Sequence, residues 1–270
     1  MITPSESASQ SAPPGLTVEV DGRPATADDL RLRALDSYGH FTALQVRDGR
    51  TRGLAHHLAR LDAATRELFG TGLDGARVRE VLRHALGGVR AASARVHVHR
   101  PADAPEPTLM VTVAPPVAPA ARPQGLMSVP YQRPVPHIKH LGGFAQIHYR
   151  RLAGRAGFDD ALLVDAAGVV SESAIANIAF WDGTSLVWPD APALTGITMA
   201  LLEPLLPAAG IPCVRREVTL AGLGSYRAAF LTNSHGIAPV GRIDGTVLPG
   251  DEALSRRVSE VYEGVAWDVI

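Results

Sequence analysis

The chain has 270 residues, of which 46% are hydrophobic and 20% charged, and its formal net charge at pH 7 is -1. This balance is typical of a globular protein and supplies no extended electric field for nucleic acid or an acidic membrane, so function is expected from a local site. A single cysteine, Cys213, excludes an internal disulfide and a multi-thiolate metal site, and we expect a cytoplasmic protein.

The first half of the chain has the pattern of a small α/β unit. Residues 1–15 are rich in Ser, Pro and Ala and lack the basic and apolar regions of a signal peptide, which predicts a disordered tail. Strands are predicted at residues 16–20, 41–46, 95–98 and 109–113, and the first two precede Asp-Gly turns. The spacing of leucines predicts helices over residues 53–69 and 78–86. We therefore expect a first domain at residues 16–113.

A proline-rich segment separates this unit from the rest of the chain. Residues 114–125, "APPVAPAARPQG", hold four prolines and predict an extended linker. Beyond it, strands are predicted at residues 127–130, 161–164, 178–181, 186–188 and 228–231, and helices at 144–156, 198–208 and 252–266. We expect a second domain at residues 126–270, and two such domains leave a cleft that is a favoured place for a cofactor.

Lys139 is the only lysine among the 26 Lys and Arg residues of the chain. Arginine stays protonated in proteins, whereas a lysine among apolar groups can lose its proton and condense with a carbonyl. The segment "PHIKHLGGF", residues 136–144, places this lysine between Ile138 and Leu141. The pattern favours a reactive amine; the alternatives are a surface lysine whose stem lies along apolar surface, or chance survival in an Arg-rich composition.

Two further charged residues lie in apolar or crowded surroundings. Arg60 occupies a helix otherwise faced by leucines, where its planar guanidinium suits a phosphate or carboxylate; an intrahelical pair with Asp62 or Glu67 is the alternative. Glu172 lies in a small-residue stretch between apparent strands and would need a cationic partner, such as a pyridinium nitrogen. The alternative is an exposed loop glutamate.

Two polar segments could hold an anion. In "LTGIT", residues 194–198, a Gly turn with a hydroxyl residue opens a helix, which offers free backbone N–H groups to a phosphate or is simply a helix cap. In residues 230–240 three hydrogen-bonding side chains follow a strand, which indicates an anion site or a turn. A reactive lysine, a carboxylate for a ring nitrogen and groups for a phosphate are together what pyridoxal 5'-phosphate requires.

The chain resembles the class IV aminotransferases, or fold type IV pyridoxal-phosphate enzymes, which include branched-chain and D-amino acid aminotransferases and 4-amino-4-deoxychorismate lyase. The resemblance runs from about residue 36 to residue 240. It is carried in family order by "GHFTALQVRDG" with "HLARL" (39–61), "IKHL" (138–141), "GFDDALLVDAAGVVSESAIANIAF" (157–180), "LTGIT" (194–198) and "LTNSHGIAPV" (231–240).

The resemblance implies an α+β or α/β fold with a small N-terminal α/β domain, a larger C-terminal barrel-like domain and the cofactor between them. It also implies a homodimer whose partner chain helps to close the substrate pocket. The implied roles are Schiff-base lysine for Lys139, partner of the pyridinium nitrogen for Glu172 and phosphate ligand for Arg60. Further implied phosphate ligands are the backbone N–H groups of Ile197 and Thr198, the Thr198 hydroxyl, and Ser234 or Asn233.

The substrate side departs from the family pattern. Thr42 matches a pocket threonine of the lyase branch, and His40 replaces a commoner glycine and adds a titratable group on the expected substrate side. Gly142 and Gly143 stand where many relatives carry Asn and Tyr, so that Tyr131, Tyr149 or Tyr38 would have to border the cofactor instead. Candidates for a substrate carboxylate are Arg95, Arg100 and Arg133.

The sequence therefore predicts an aminotransferase that exchanges an amino group between an amino acid or amine and a keto acid. In this reaction Lys139 is the expected base for the α-proton. The alternative is elimination of pyruvate from aminodeoxychorismate to give 4-aminobenzoate. A third possibility, a non-catalytic cofactor-binding relative, gives no reason to keep the sole lysine at this position.

Overall fold

The computed structural model describes residues 15–102 and 104–270. Of the predicted tail, residues 1–14 lie outside the described part of the chain. In that part no helix combines the length and the apolar character that crossing a membrane requires.

The strands and helices alternate along the chain in the mixed order expected. The strands are β1 (Thr17–Val20), β2 (Arg23–Pro24), β3 (His40–Arg47), β4 (Arg50–Arg52), β5 (Ala91–His99), β6 (Thr108–Ala114), β7 (Gln124–Pro130), β8 (Asp160–Val164), β9 (Val170–Ser173), β10 (Asn177–Trp181), β11 (Leu186–Pro189), β12 (Cys213–Arg216), β13 (Ala228–Asn233), β14 (Gly236–Ile243), β15 (Thr246–Val247) and β16 (Trp267–Val269). The helices are α1 (Ala27–Leu35), α2 (Leu54–Phe69), α3 (Gly75–Leu86), α4 (Phe144–Arg155), α5 (Ile197–Leu205) and α6 (Glu252–Glu263), with short 3-10 helices at Pro207–Ala209 and Leu220–Ser225.

The first sheet is antiparallel and has the strand order β16-β4-β3-β5-β6-β1-β2. Side chains alternate along β3, so that Thr42 and Leu44 are buried whereas Phe41 and Ala43 are half-buried. Helices α2 and α3 supply Leu61 and other apolar side chains to the core on the buried face. The other face of the sheet is left to line a cavity.

The last strand differs from the predicted division of the chain. We assigned residues 126–270 to the second domain, but β16 pairs antiparallel with β4 of the first sheet. Ile270, which follows it, is 3% exposed and belongs to the core between this sheet and α2 and α3. Burial of the Ile270 side chain in the first core stabilises β16 on the first sheet, although its position in the sequence predicted the second domain.

The second sheet is mixed, with the order β12-β11-β10-β13-β14-β7-β8-β9 and β15 beside β14. Strands β7 and β8 are parallel and are joined through α4, which packs on both. Strand β9, with the sequence VSES, is buried along its whole length although three of its four residues are polar. Because of this polarity, the sequence pattern predicts a connection between strands here, and the structure shows a strand instead.

Backbone hydrogen bonds join the lysine segment to the start of β3. The Phe41 N–H donates to the Lys139 carbonyl and the Leu141 N–H donates to the Gly39 carbonyl, each over 2.9 Å. Glycine is required here, because a Cβ atom at Gly39 would lie 2.5 Å from the Val98 carbonyl oxygen. The lysine is therefore held where the two sheets meet.

Candidate active site

A cavity of about 500 Å³ lies between the two sheets and opens to solvent. Seven of the sequence-predicted site residues line it together: Lys139, Glu172, Arg60, Ile197, Thr198, Asn233 and Ser234. They come from the lysine segment, β9, α2, the start of α5 and the end of β13. The fold thus brings into one cavity residues that lie up to 174 positions apart in the sequence.

Lys139 is enclosed by protein, with part of its surface open to the cavity. Its Nζ atom lies 5.0 Å from the centre of the Phe41 ring. Burial and, to a smaller extent, the positive charges of Arg60 and Arg133 together lower the pKa of Lys139 to about 7, while Glu172 acts in the opposite direction. At neutral pH a large fraction of the amine is unprotonated and nucleophilic, which argues against a surface lysine.

Glu172 is 4% exposed and lies on β9, so the alternative of an exposed loop glutamate is wrong. Its Oε1 atom lies 3.5 Å from Nη1 of Arg133 and accepts a hydrogen bond of 3.4 Å from the Leu194 N–H. Burial raises the pKa of Glu172, while Arg133 and this N–H act in the opposite direction. Within the described residues Oε2 has no hydrogen-bond partner, which leaves one carboxylate oxygen for a ligand.

Arg60 is bound to Thr42, and the predicted alternative of an intrahelical pair is wrong. Asp62 pairs with Arg66 over 2.9 Å, and Glu67 pairs with His137 over 2.9 Å. Nη2 of Arg60 donates to the Thr42 hydroxyl, and its Nε is buried with no hydrogen-bond partner in the described chain. Burial lowers the pKa of Arg60 to about 10, and the nearby charge of Arg133 contributes.

The enclosed charges are unbalanced in favour of an anion. Seven Lys and Arg side chains line the cavity, among them the enclosed Arg60, Arg133 and Lys139, whereas Glu172 is the single carboxylate among the described residues that line it. Enclosed charge of one sign is costly unless a ligand of the other sign compensates it. A phosphate beside the orphaned Nε of Arg60 would do so, and the donor set therefore fits a phosphorylated cofactor.

Ile197 and Thr198 line the same cavity at the start of α5, where backbone N–H groups have no partner within the helix. The preceding Gly196 donates its N–H to Oδ1 of Asn177 over 2.9 Å. A Cβ atom at this position would lie 2.2 Å from the same Oδ1, so only glycine permits this close approach. The helix start is thereby fixed against β10.

The hydroxyl of Thr198 does not have its predicted role. Its Oγ1 donates to the Asn233 carbonyl over 2.6 Å, so its proton is not available to an anion. The side-chain oxygen of Asn233 accepts from the His235 N–H over 2.8 Å. Thr232, which we did not select, is buried, lines the cavity and has an Oγ1 without a partner in the described residues. Thr232 is the first of the three consecutive polar residues at the end of β13, and this run could have indicated it from the sequence.

The structure contradicts the substrate roles expected for Thr42 and His40. Both are 1% exposed and neither lines the cavity, because they lie on the face of β3 that packs against α2. The Nε2 atom of His40 lies 3.0 Å from Oγ1 of Thr65, and burial lowers the pKa of His40 to about 4, so the ring is neutral. The residues of β3 that line the cavity are instead Phe41, Ala43 and Gln45 on its other face, together with Leu44. Identifying them requires knowing which face of the strand is covered.

Of the three arginines considered for a substrate carboxylate, only Arg95 is free to serve. Arg133 is held by Glu172 and by the Ile138 carbonyl, to which its Nη2 donates over 2.9 Å. Arg100 donates to the Phe69 carbonyl and does not line the cavity. Arg95 lines the cavity and has no hydrogen-bond or ion-pair partner among the described residues.

The tyrosines expected to border the cofactor lie elsewhere. Tyr131 and Tyr149 contact each other, with ring centres 5.5 Å apart, and Tyr38 contacts Phe69 at 5.9 Å. None of the three lines the cavity. Gly143 does line it, as the residue that precedes α4. The cavity next to the lysine is thus wider than a tyrosine would leave it.

Comparison with known proteins agrees with this architecture. The family model described as amino-transferase class IV matches residues 39–243. The PLP-bound form of a hypothetical aminotransferase from Mycobacterium tuberculosis is 24% identical, with a TM-score of 0.80 over 92% of this chain and 98% of that one. The 4-amino-4-deoxychorismate lyase from Pseudomonas aeruginosa is 28% identical, with a TM-score of 0.79 over 92% and 99%.

A branched-chain amino acid aminotransferase from Escherichia coli is 18% identical, with a TM-score of 0.79 over 93% of this chain and 94% of that one. None of the curated protein sequences compared with the chain matches it significantly. The family match covers more than half of the chain, and the predicted fold class is confirmed. The chain therefore belongs to the class IV aminotransferases, a family of enzymes that use pyridoxal 5'-phosphate.

Proposed function

We propose that the chain is a pyridoxal-phosphate-dependent aminotransferase that moves an amino group between an amino acid or amine and a keto acid. The observation that carries the proposal is the enclosed charge set: a lysine whose pKa is lowered to about 7, a carboxylate with one free oxygen, and an excess of arginine. When bound, the cofactor supplies a carbonyl that condenses with amines and a ring that accepts the electrons of a broken Cα–H bond.

Each of these residues would hold one part of the cofactor. Lys139 would bind its carbonyl carbon, and the free Oε2 of Glu172 would accept a hydrogen bond from the ring nitrogen. Arg60, the N–H groups of Ile197 and Thr198, and Ser234 or Asn233 would hold the phosphate.

Lys139 would also move the proton. Once displaced by an amino substrate, its Nζ can take the α-proton, because a pKa near 7 leaves much of the amine unprotonated at neutral pH. Arg95 would bind the substrate carboxylate, since it lines the cavity and has no hydrogen-bond or ion-pair partner in the described chain. The neighbouring Phe41 ring would limit how far the substrate can move along the sheet.

The test uses the fact that Lys139 is the only lysine. The purified chain is incubated with pyridoxal 5'-phosphate, reduced with borohydride and digested, and the labelled peptide is identified by mass spectrometry. We expect the label on Lys139, visible absorbance before reduction, and loss of both in Lys139→Ala. A wild-type protein that remains colourless and unlabelled would contradict the cofactor assignment.

The lyase is the second candidate, because the Pseudomonas aeruginosa 4-amino-4-deoxychorismate lyase is 28% identical over nearly the whole chain. A panel of amino acids with a keto acid should give amino-group exchange if the chain is an aminotransferase. Release of 4-aminobenzoate from 4-amino-4-deoxychorismate without any amino acceptor would establish the lyase instead. A labelled protein inactive in both assays would support a non-catalytic relative.

We also propose a homodimer. Helix α4 exposes 80% of Phe144 and 57% of Ile147, and Ile147 lies at the rim of the cavity. Large apolar side chains exposed side by side are typical of a covered surface, and a second copy placed there would narrow the cavity mouth. Sedimentation of the wild type against Phe144→Ser tests this, with a monomeric wild type as the contradicting result.

A further inference from the structure

Two buried polar side chains, Thr42 and His57, form a hydrogen-bonded chain with Arg60. Neither has a part in the reaction proposed above. Thr42 on β3 is 1% exposed and His57 on α2 is 4% exposed. The Thr42 Oγ1 atom lies 2.6 Å from Nδ1 of His57 and also receives a hydrogen bond from Nη2 of Arg60. His57 and Arg60 are three positions apart, which places them on one face of the helix, opposite Thr42.

The chemistry of these groups determines where each proton lies. A guanidinium has donors only, so the Thr42 oxygen must accept from Arg60. Among the described residues the Thr42 hydroxyl has no partner besides Arg60 and His57, so the acceptor for its proton is Nδ1 of His57, which we assign as the unprotonated nitrogen. His57 is accordingly neutral with its proton on Nε2, and burial together with the charge of Arg60 lowers its pKa well below the ordinary value.

These hydrogen bonds hold the Arg60 guanidinium in place without adding a negative charge to the cavity. Arginine has a long, flexible side chain, and here the positive charge of Arg133 lies close enough to disfavour that of Arg60. A neutral acceptor attached to the rigid β3 strand holds one nitrogen of the guanidinium without adding a charge that would compete with an anion. A carboxylate in place of Thr42 would neutralise Arg60 and weaken its attraction for phosphate.

We propose that Thr42 and His57 are positioning residues that orient the Arg60 guanidinium toward the cofactor phosphate, with Thr42 accepting from Arg60 and donating to His57. The inference rests on the proposed function, in which Arg60 binds that phosphate. It replaces the substrate role that the family resemblance implied for Thr42, and it assigns a role to His57, for which the sequence pattern predicted none.

The test compares the dissociation constants of pyridoxal 5'-phosphate and pyridoxal, which differ only in the phosphate. Both can react with Lys139. The dissociation constant of pyridoxal divided by that of pyridoxal 5'-phosphate therefore measures how much the phosphate contributes to binding. We expect Thr42→Val to weaken pyridoxal 5'-phosphate binding by roughly ten- to a hundredfold, the range for a lost hydrogen bond to a charged group, while pyridoxal binding is unchanged. Thr42→Ser, which keeps the hydroxyl, should retain most of the wild-type ratio.

Thr65→Val is the matched control. Thr65 forms the neighbouring buried hydroxyl–imidazole contact between α2 and β3, with His40, and it has no hydrogen bond to Arg60. We expect it to leave the ratio unchanged even if it lowers the melting temperature. Equal weakening of both ligands in Thr42→Val, or the same change of ratio in Thr65→Val, would overturn the proposal.

Two further results separate this inference from the proposed function. If Arg60→Met leaves the preference for pyridoxal 5'-phosphate over pyridoxal unchanged, the assignment of Arg60 to the phosphate is wrong. If Arg60→Met lowers this preference and Thr42→Val does not, only the positioning role of Thr42 and His57 is wrong. Nitrogen NMR of the histidine rings, with His57 assigned by its loss in His57→Gln, should show a proton on Nε2 alone at pH 7. A doubly protonated His57 would overturn the hydrogen-bond direction.

Discussion

At the scale of single residues, Lys139 is held in a state that costs stability. Its pKa is about 7 in the folded chain against an ordinary value of 10.5, because burial and the nearby arginines disfavour the charged amine. The unfolded chain therefore binds more protons than the folded one between these two values. By linkage, this lysine destabilises the folded protein at neutral pH and does so less as the pH rises toward 10.5.

Replacing the lysine should make the cofactor-free protein more stable. We expect Lys139→Met to raise the free energy of unfolding at pH 7 by on the order of 2–4 kcal/mol, a range reduced from the full shift because part of the amine faces the cavity. The gain should shrink as the pH rises. Urea unfolding of both proteins from pH 7 to 10 measures it, and a gain that does not depend on pH would show that packing, not charge, is responsible.

At the scale of elements, two junctions determine the site: the contact of β3 with α2, and the start of α5 against β10. The sequence predicted the strand, both helices and the candidate residues on them. It did not predict which side of β3 faces the cavity, because Thr42 and Phe41 lie on opposite faces and either could have been the inner one. The family resemblance implied a substrate role for Thr42, whereas in the structure it contacts Arg60.

The second junction leads to a prediction about Gly196. A Cβ atom there would lie 2.2 Å from Oδ1 of Asn177, so Gly196→Ala must move the start of α5 and with it the N–H groups of Ile197 and Thr198. We expect at least roughly tenfold weaker binding of pyridoxal 5'-phosphate, measured by quenching of tryptophan fluorescence. Gly224→Ala is the control, because nothing lies within 4 Å of a Cβ atom at that position. Unchanged affinity in Gly196→Ala would exclude a phosphate at the helix start.

At the scale of the whole molecule, β16 connects the end of the described chain to the first sheet. The Asp268 carboxylate accepts a hydrogen bond of 2.8 Å from the Leu54 N–H at the start of α2, a helix whose preceding Gly53 offers no side-chain cap. The Arg52 guanidinium lies between the rings of Tyr262 and Trp267, 4.6 and 4.5 Å from their centres. The helix that carries Arg60 thus depends on residues more than 200 positions away.

We expect this connection to contribute measurably to stability. Ile270→Ala should lower the free energy of unfolding by about 2–5 kcal/mol, as for other buried aliphatic side chains, and Asp268→Ala by about 1 kcal/mol through loss of the helix cap. Val269→Ala serves as a control on the same strand, because 58% of Val269 is exposed. Chemical denaturation measures all three, and equal effects of Ile270→Ala and Val269→Ala would contradict the assignment of Ile270 to the core.

The sequence by itself determined the family, the mixed α and β fold class and the identity of the residues with unusual chemistry, because a lone lysine, a helix pattern and a set of motifs are local properties. Tertiary structure alone decided which of those residues meet, which face of β3 is covered and which partner each polar group takes. Arg60 could equally have paired with Asp62 or Glu67 along its helix, and Glu172 could have been exposed. Packing of the two sheets removed those options, because it buried both residues, gave Asp62 and Glu67 other partners and enclosed an excess of positive charge beside the lysine.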